Sequence, residues 1–399
     1  MEKYDLIILG AGAAGLFAGA HSSVKTLILE KKNNAGNKLL IAGQGRCNFT
    51  HSGYVSAFFS HYGQNENFIK HALKKYTNQD LILFFKNKGL SITEDKNGKL
   101  FPESGNARDI LDILLTECKK KGNNIHFNEP VVNLSFHDGE FQVNTKINNY
   151  SCKKLLVATG GKSYPSTGST GDGYLFAKVY GHHINDPKPA LSPVFIKNYH
   201  YKELAGVSLK DCKITLYSEN KRIFSHSGDI GFTHKGLSGP GILDFSRYMV
   251  VNDIIKLNLS GISIDEFNKR FLEEVKNNGK ATIQVFLRQF EIPKALLRLL
   301  LADLSIESAE KIGNINKEQR KSLVEKFCEC PFEIEKIAGF NVAMCTAGGV
   351  SLNEINPKTM ESKLQPGLFF AGEVLDIDGD TGGYNLQSAF STGYLAAIS

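Results

Sequence analysis

The sequence predicts an α/β fold in which a Rossmann-like dinucleotide-binding domain, built from both ends of the chain, is interrupted by an insertion of different texture. Three observations predict it. The apolar run Leu6-Ile7-Ile8-Leu9 leads directly into Gly10-Ala11-Gly12-Ala13-Ala14-Gly15, and a second run, Leu27-Ile28-Leu29, closes on Glu30, twenty residues after the first glycine. Two later apolar runs stop on glycine, Leu155-Leu156-Val157-Ala158-Thr159-Gly160-Gly161 and Leu368-Phe369-Phe370-Ala371-Gly372-Glu373. Between them, from about Leu191, short alternating strands and then helices replace the α/β pattern, which returns near Val342.

Strand, glycine turn, helix, strand and terminal acid, in that order, form a βαβ dinucleotide fingerprint. The first glycine permits the tight turn, the second lets backbone approach a pyrophosphate, and the third lets the helix pack close to the sheet. The helix start then offers free N–H groups and a positive dipole to the phosphates, while Glu30 can accept a hydrogen bond from a ribose hydroxyl. The helix that follows is short, because only eight residues separate Gly15 from Val24.

Apolar spacing next predicts a helix over Asn65 to Lys88, through Phe68, Ala72, Leu73, Leu81, Phe84 and Phe85, and another over Asn106 to Lys120. Lys153 to Gly161 reads as a buried parallel strand. Residues from Leu191 to Leu259 suggest a small β-domain, and Ile262 to Leu304 look helical, with Pro293 favourable at a helix start. β texture resumes near Phe332 to Glu335. Glycine-ended strands bring backbone close to a ligand at the carboxyl edge of an open sheet, so the turns at Gly160 and Gly372 are expected beside the fingerprint.

Composition sets bounds. A chain of 399 residues, 42% hydrophobic and 22% charged, holds two or three domains with substantial cores. A net charge of +6 is mild and fits anionic cofactors and substrates, so nucleic acid is not an expected partner; a small-molecule substrate is. The oligomeric state is left open. The charged start, Met1 to Asp5, leaves no room for a signal peptide and no apolar stretch approaches a bilayer span. Seven scattered cysteines, an odd number, point to a reducing cytoplasm. Cys328 and Cys330 lack a second ligand pair, so no metal is expected.

Gly36 to Thr50, with its Gly43-Gln44-Gly45-Arg46-Cys47-Asn48 core, resembles the signature that follows the second strand in the BaiN-like (YhiN-like) family of bacterial NAD(P)/FAD-dependent oxidoreductases. Phe232 to Pro240, Thr346-Ala347-Gly348-Gly349-Val350, Thr359 to Lys363, Gly372 to Asp376 and Gly382 to Gln387 match the same family in order along the chain. The resemblance implies a Rossmann-like FAD domain of glutathione-reductase type, residues 1–190 and 340–399. A β-barrel-like domain, 191–260 and 305–339, would interrupt it and carry a helical insert, 261–304. The first helix is about one turn shorter than the usual family spacing.

The resemblance further implies that Gly10, Gly12, Ala13, Ala14 and Gly15 hold the FAD pyrophosphate and Glu30 the adenosine ribose. Lys31, Lys38, Arg46, Cys47 and Asn48 would line the phosphate and ribityl path, where two phosphates need compensating charge. Val131 would meet the adenine edge through its backbone. Ala158, Thr159 and Gly160, then Gly372, Glu373, Asn385, Leu386 and Gln387, would complete the site. In related flavoproteins the last helix aims its N-terminus at the pyrimidine end of the flavin, which stabilises negative charge on the reduced ring. Lys31 reads equally as a solvated lysine, and Cys47 has no C-x-x-C partner.

Catalytic residues are not fixed by the sequence. Tyr164, Tyr384 and His234 are candidates, each with a packing or loop-bracing role as its alternative. No second glycine fingerprint stands between a strand and a helix in the middle of the chain, so a dedicated NAD(P)H domain is not expected. NADH or NADPH would then bind transiently as co-substrate. The leading expectation is NAD(P)H-driven hydride transfer through flavin N5 to a small activated C=C bond or similar acceptor. Two alternatives stand beside it: a flavin-dependent oxidase or dehydrogenase of a small amine or hydroxy compound, and an FAD-binding RNA-associated or interaction protein.

Overall fold

In the computed structural model, which describes residues 2–399, both chain ends contribute to one seven-stranded sheet. Its order is Asn124–His126, Thr26–Leu29, Glu2–Leu9, Asn149–Val157, Glu140–Thr145, Val131–His137, with Leu368–Phe370 also paired to Asn149–Val157. The strands that carry the glycine turns are parallel and the last three of the path antiparallel. Leu6, Ile7, Ile8 and Leu9, with Leu27, Ile28 and Leu29, are nearly inaccessible to solvent. Such continuous apolar runs are what a sheet covered on both faces requires. The helices Ala13–His21 and Tyr384–Ile398 pack against one another; a Cβ on Gly393 would stand 2.4 Å from Ala14 O, so only glycine allows that approach.

The chain divides into two compact units, Met1–Ala190 with Gly339–Ser399, and Leu191–Ala338. The second is built on a closed six-stranded barrel: Val194–Ile196, Gly236–Ser238, Lys221–Phe232, Ser208–Ser218, Ile254–Asn258 and Cys330–Ile337. Closure leaves no unpaired edge. Its core is shared with the helices Ile264–Asn278, Ile283–Leu287, Lys294–Asp303 and Lys317–Cys328.

Two local expectations are corrected. The single helix over Asn65 to Lys88 is two, Glu66–Lys75 and Asn78–Asn87. Thr77 divides them with a capping box: its side chain accepts from the Asp80 N–H while Asp80 accepts from the Thr77 N–H. Pro293 does stand at a helix start, as the extended cap of Lys294–Asp303. Helical structure also extends past Leu304, since Lys317–Cys328 is a helix started by an Asn316–Gln319 capping box.

Candidate functional site

Strand register brings the glycine turns side by side. Leu9 is level with Leu29 and with Val157, and Val157 with Phe370. Gly10, Glu30, Ala158 and Ala371 therefore leave the sheet at the same height on its carboxyl edge. Gly10 has φ +103°, and a Cβ there would stand 2.6 Å from Ala158 O; a Cβ on Gly15 would stand 2.0 Å from Gly10 O. Gly12 is different: nothing lies within 4 Å of the Cβ it lacks. It caps the Ala13–His21 helix with no side-chain hydrogen bond. The first bond of that helix runs from Leu16 N–H to Gly12 O, so the N–H groups of Ala13, Ala14 and Gly15 face outward from its start.

Glu30 is fixed by two backbone donors, its Oε2 accepting from Ala11 N–H at 2.9 Å and its Oε1 from Lys32 N–H at 2.8 Å. Carboxylate oxygens have lone pairs to spare for a hydroxyl after those bonds. Lys31 pairs with Asp172 and also donates to Thr170. Lys38 and Glu373, 335 residues apart in sequence, form an ion pair at 2.5 Å. Glu373 Oε1 accepts from Thr346 N–H, and Thr346 Oγ1 accepts from the N–H groups of Lys162 and Ser163. One network thus ties the Gly160 turn, the Gly372 turn and the Asn37–Ile41 helix together. Asp172 and Thr170 carry no motif signal of their own, since Lys31 is remote from them in sequence; Thr346 opens one of the matching segments, but its bridging bonds do not show there.

The Gly43–Asn48 segment divides its residues between surface and interior. Arg46 is exposed, its guanidinium 4.8 Å from the Phe101 ring centroid. Cys47 sits at φ +60° and is fully buried, which pushes its thiol up to about 12. All seven cysteines are buried and none forms a disulfide. Asn48 donates from its amide to Thr50 O and Leu100 O. Val131 opens the Val131–His137 strand, half-buried opposite Thr145.

The last helix begins at Tyr384 behind Gly383, which has φ +96° and no side-chain cap. A Cβ on Gly383 would meet Thr50 backbone at 2.6 Å. Asn385 grips both backbone groups of Gly379, and Leu386 is half-buried. Gln387 is fully buried; it accepts from Thr50 Oγ1 at 2.6 Å and donates to Tyr76 O and Ser391 Oγ. The side chains of Asn385 and Gln387 are thereby committed to holding the turn, which leaves the backbone N–H groups as the donors at the helix start.

Among the catalytic candidates, Tyr384 is buried and stacks on His61 at 3.9 Å. Tyr164 is half-buried at φ +51°, its N–H bonded to Phe340 O. His234 belongs to the barrel unit and is exposed in the turn closed by Thr233 and Gly236. Among the described residues no group of three or more His, Cys, Asp or Glu could hold a metal ion.

These residues fit a bound dinucleotide. Two helices, each started by an uncapped glycine, belong to the unit whose parallel strands end together, and the Gly12 turn has room for a phosphate. The Thr159 hydroxyl, packed against Gly173, is buried with no hydrogen-bond partner among the described residues.

The HI0933-like protein Rossmann domain family matches residues 4–399. The chain belongs to this family. The family resemblance read from the motifs is borne out, and with it the fold class and the assignment as an FAD-dependent oxidoreductase. Within the family's reach, a ribosomal RNA dihydrouridine synthase of Escherichia coli is 32% identical over 415 residues, covering 100% of this chain and 98% of that protein. A 3-dehydro-bile acid delta(4,6)-reductase of Clostridium scindens is 29% identical over 402 residues, covering 98% and 97%. Among solved structures, 3-ketosteroid-delta4-(5alpha)-dehydrogenase of Rhodococcus jostii RHA1 has a TM-score of 0.50 at 14% identity, covering 99% of this chain and 97% of that one, a likeness of fold. Among the described residues no helix is long and apolar enough to cross a membrane.

Proposed function

We propose that this HI0933-like enzyme takes hydride from NADH or NADPH and adds it to a C=C bond conjugated to a carbonyl. The observation that carries the reading is the common level at which Leu9, Leu29, Val157 and Phe370 end, which gathers the glycine turns into one cradle. When bound there, FAD supplies hydride transfer through its N5 atom. Gly10 to Gly15 receive the pyrophosphate on backbone N–H groups, and Glu30, pre-set by its two backbone donors, accepts the ribose hydroxyl. Lys31, Lys38 and Arg46 offset the phosphate charge, and the Val131 backbone meets the adenine. The Thr159 hydroxyl and the backbones of Ala158 and Gly160 close one side. Gly372, Glu373 and the N–H groups from Asn385 to Gln387 close the other and stabilise negative charge on the reduced ring.

The names of the two relatives favour the acceptor class. Dihydrouridine is uridine with its ring C=C saturated, and a delta(4,6) bond pair in a 3-dehydro steroid is conjugated to a ketone. A second reading follows: the acceptor is a uracil base in ribosomal RNA, which makes nucleic acid a partner that net charge alone did not indicate.

Purified protein is expected to be yellow and to release FAD on denaturation, and anaerobic NADH or NADPH is expected to bleach it. Reoxidation is then followed with conjugated enones and with ribosomal RNA from cells lacking the gene, dihydrouridine being scored by mass. A colourless protein that FAD cannot reconstitute overturns the cofactor site, and bleaching by small amines but by neither nicotinamide overturns the reductase.

A further inference from the structure

Saturating a C=C bond conjugated to a carbonyl takes a hydride at the β-carbon and a proton at the α-carbon, so the proposed reaction needs an acid near the ring. Tyr384, at the start of the last helix, is flanked by two histidine rings from the segment 50–65 that lie nearly parallel to it, His61 at 3.9 Å and 16°, and His51 at 5.4 Å and 14°. Their nitrogens differ. In His51, Nδ1 lies 3.0 Å from Ser52 O and Nε2 lies 2.7 Å from Asn97 O, so neither nitrogen is open to a substrate. In His61, Nδ1 lies 3.0 Å from Asp380 Oδ2, while Nε2 has no hydrogen-bond partner among the described residues and the side chain is 35% exposed.

The pair is held from several sides. Asp380 N–H donates to His61 O, Tyr62 Oη donates to Tyr384 O at 2.8 Å, and the Asn65 amide donates to Asp376 O at 2.7 Å. Asp380 stands three residues before Gly383, the cap of the last helix. A carboxylate on Nδ1 sets the orientation and tautomer of the imidazole, which leaves Nε2 as the ring nitrogen free to meet a ligand.

We infer that His61 is the acid that protonates the α-carbon, with Asp380 as its positioning residue. This rests on the reading of the last helix start as the pyrimidine end of the flavin site. In the step, a hydride that originates in NAD(P)H bonds to the β-carbon and the π bond breaks. Its electron pair reaches the α-carbon, which takes the Nε2 proton, and the carbonyl is unchanged. The neutral imidazole, still donating Nδ1–H to Asp380, regains a proton from solvent. One NAD(P)H and one proton are consumed for each C–H pair formed.

Two measurements test it. In histidine-labelled protein, the His61 ring signals, assigned by their loss in His61→Gln, are expected to move when FAD is added. The Nδ1–H signature is expected to disappear in Asp380→Ala, which leaves that N–H without its acceptor, a change that a packing role would not produce. In single turnovers, His61→Gln is expected to slow reoxidation by the enone that best reoxidises wild type on the order of 10²-fold while flavin bleaching by NAD(P)H keeps its rate. FAD content and circular dichroism confirm that the variants fold. Ring signals indifferent to FAD, or an unchanged reoxidation rate in His61→Gln, overturn the inference. If instead the signals move but no conjugated acceptor reoxidises wild type, the reductase reading falls first and takes the acid role with it.

Discussion

At the residue scale, Gly12 and Gly15 sit three positions apart in one motif and do different work. A Cβ on Gly15 would stand 2.0 Å from Gly10 O, a backbone atom that cannot yield without opening the turn. Alanine there would gain helix propensity of about 1 kcal/mol, yet overpacking of that kind costs about 1–3 kcal/mol, so the clash wins. Gly12 has no protein atom within 4 Å of its missing Cβ, so alanine fills only the space a phosphate would use. Gly15→Ala is therefore expected to lower the melting temperature and the FAD content together. Gly12→Ala is expected to lower FAD content at an unchanged melting temperature of the apoprotein; equal effects of the two variants would contradict the cradle. The glycine spacing was legible in the sequence, because a backbone conformation is recorded in the residue that permits it. It could not tell that Asn385 and Gln387 spend their side chains on Gly379, Thr50, Tyr76 and Ser391, since those partners are chosen by tertiary packing.

At the scale of elements, the apolar spacing from Phe68 to Phe85 was legible and the break within it was not. Tyr76 is extended and Thr77 begins a new helix with a reciprocal bond to Asp80. The Thr-x-x-Asp spacing was the available signal, outweighed by an apolar period that runs through it. Thr77→Ala is expected to destabilise the Asn78–Asn87 helix by about 1 kcal/mol, measured as a shift in the denaturant midpoint. A neutral result would mean that packing of Leu81 and Phe85 alone holds the helix start. The Lys317–Cys328 helix was hidden for the opposite reason. Its first turns are polar, and Leu323, Val324 and Phe327 enter the barrel unit's core only near its end, so periodicity is weak although Asn316 and Gln319 mark its start.

At the scale of the whole molecule, two units with separate hydrophobic cores predict two responses to ligand. FAD that binds only the folded unit made of both chain ends stabilises it by mass action, about 2.7 kcal/mol at a free concentration 100 times Kd. Thermal unfolding followed by circular dichroism is expected to show one transition that rises with FAD and one that does not, the second belonging to the barrel unit. Transitions that all ignore FAD would remove the cofactor from the proposed unit.

The βαβ fingerprint with its acid, the two glycine-ended strands and the change of texture in the middle are all written in the amino-acid order. Each of these is a local pattern, fixed by what a turn or a buried strand allows its own residues to be. Only the tertiary structure decided that Leu9, Leu29, Val157 and Phe370 end level with one another, that Lys38 meets Glu373, and that the insertion closes as a six-stranded barrel. It also placed His61 against Asp380 across 319 residues of chain. Register, closure and ion pairing between distant segments depend on how strands align and faces pack, and no single segment carries that information.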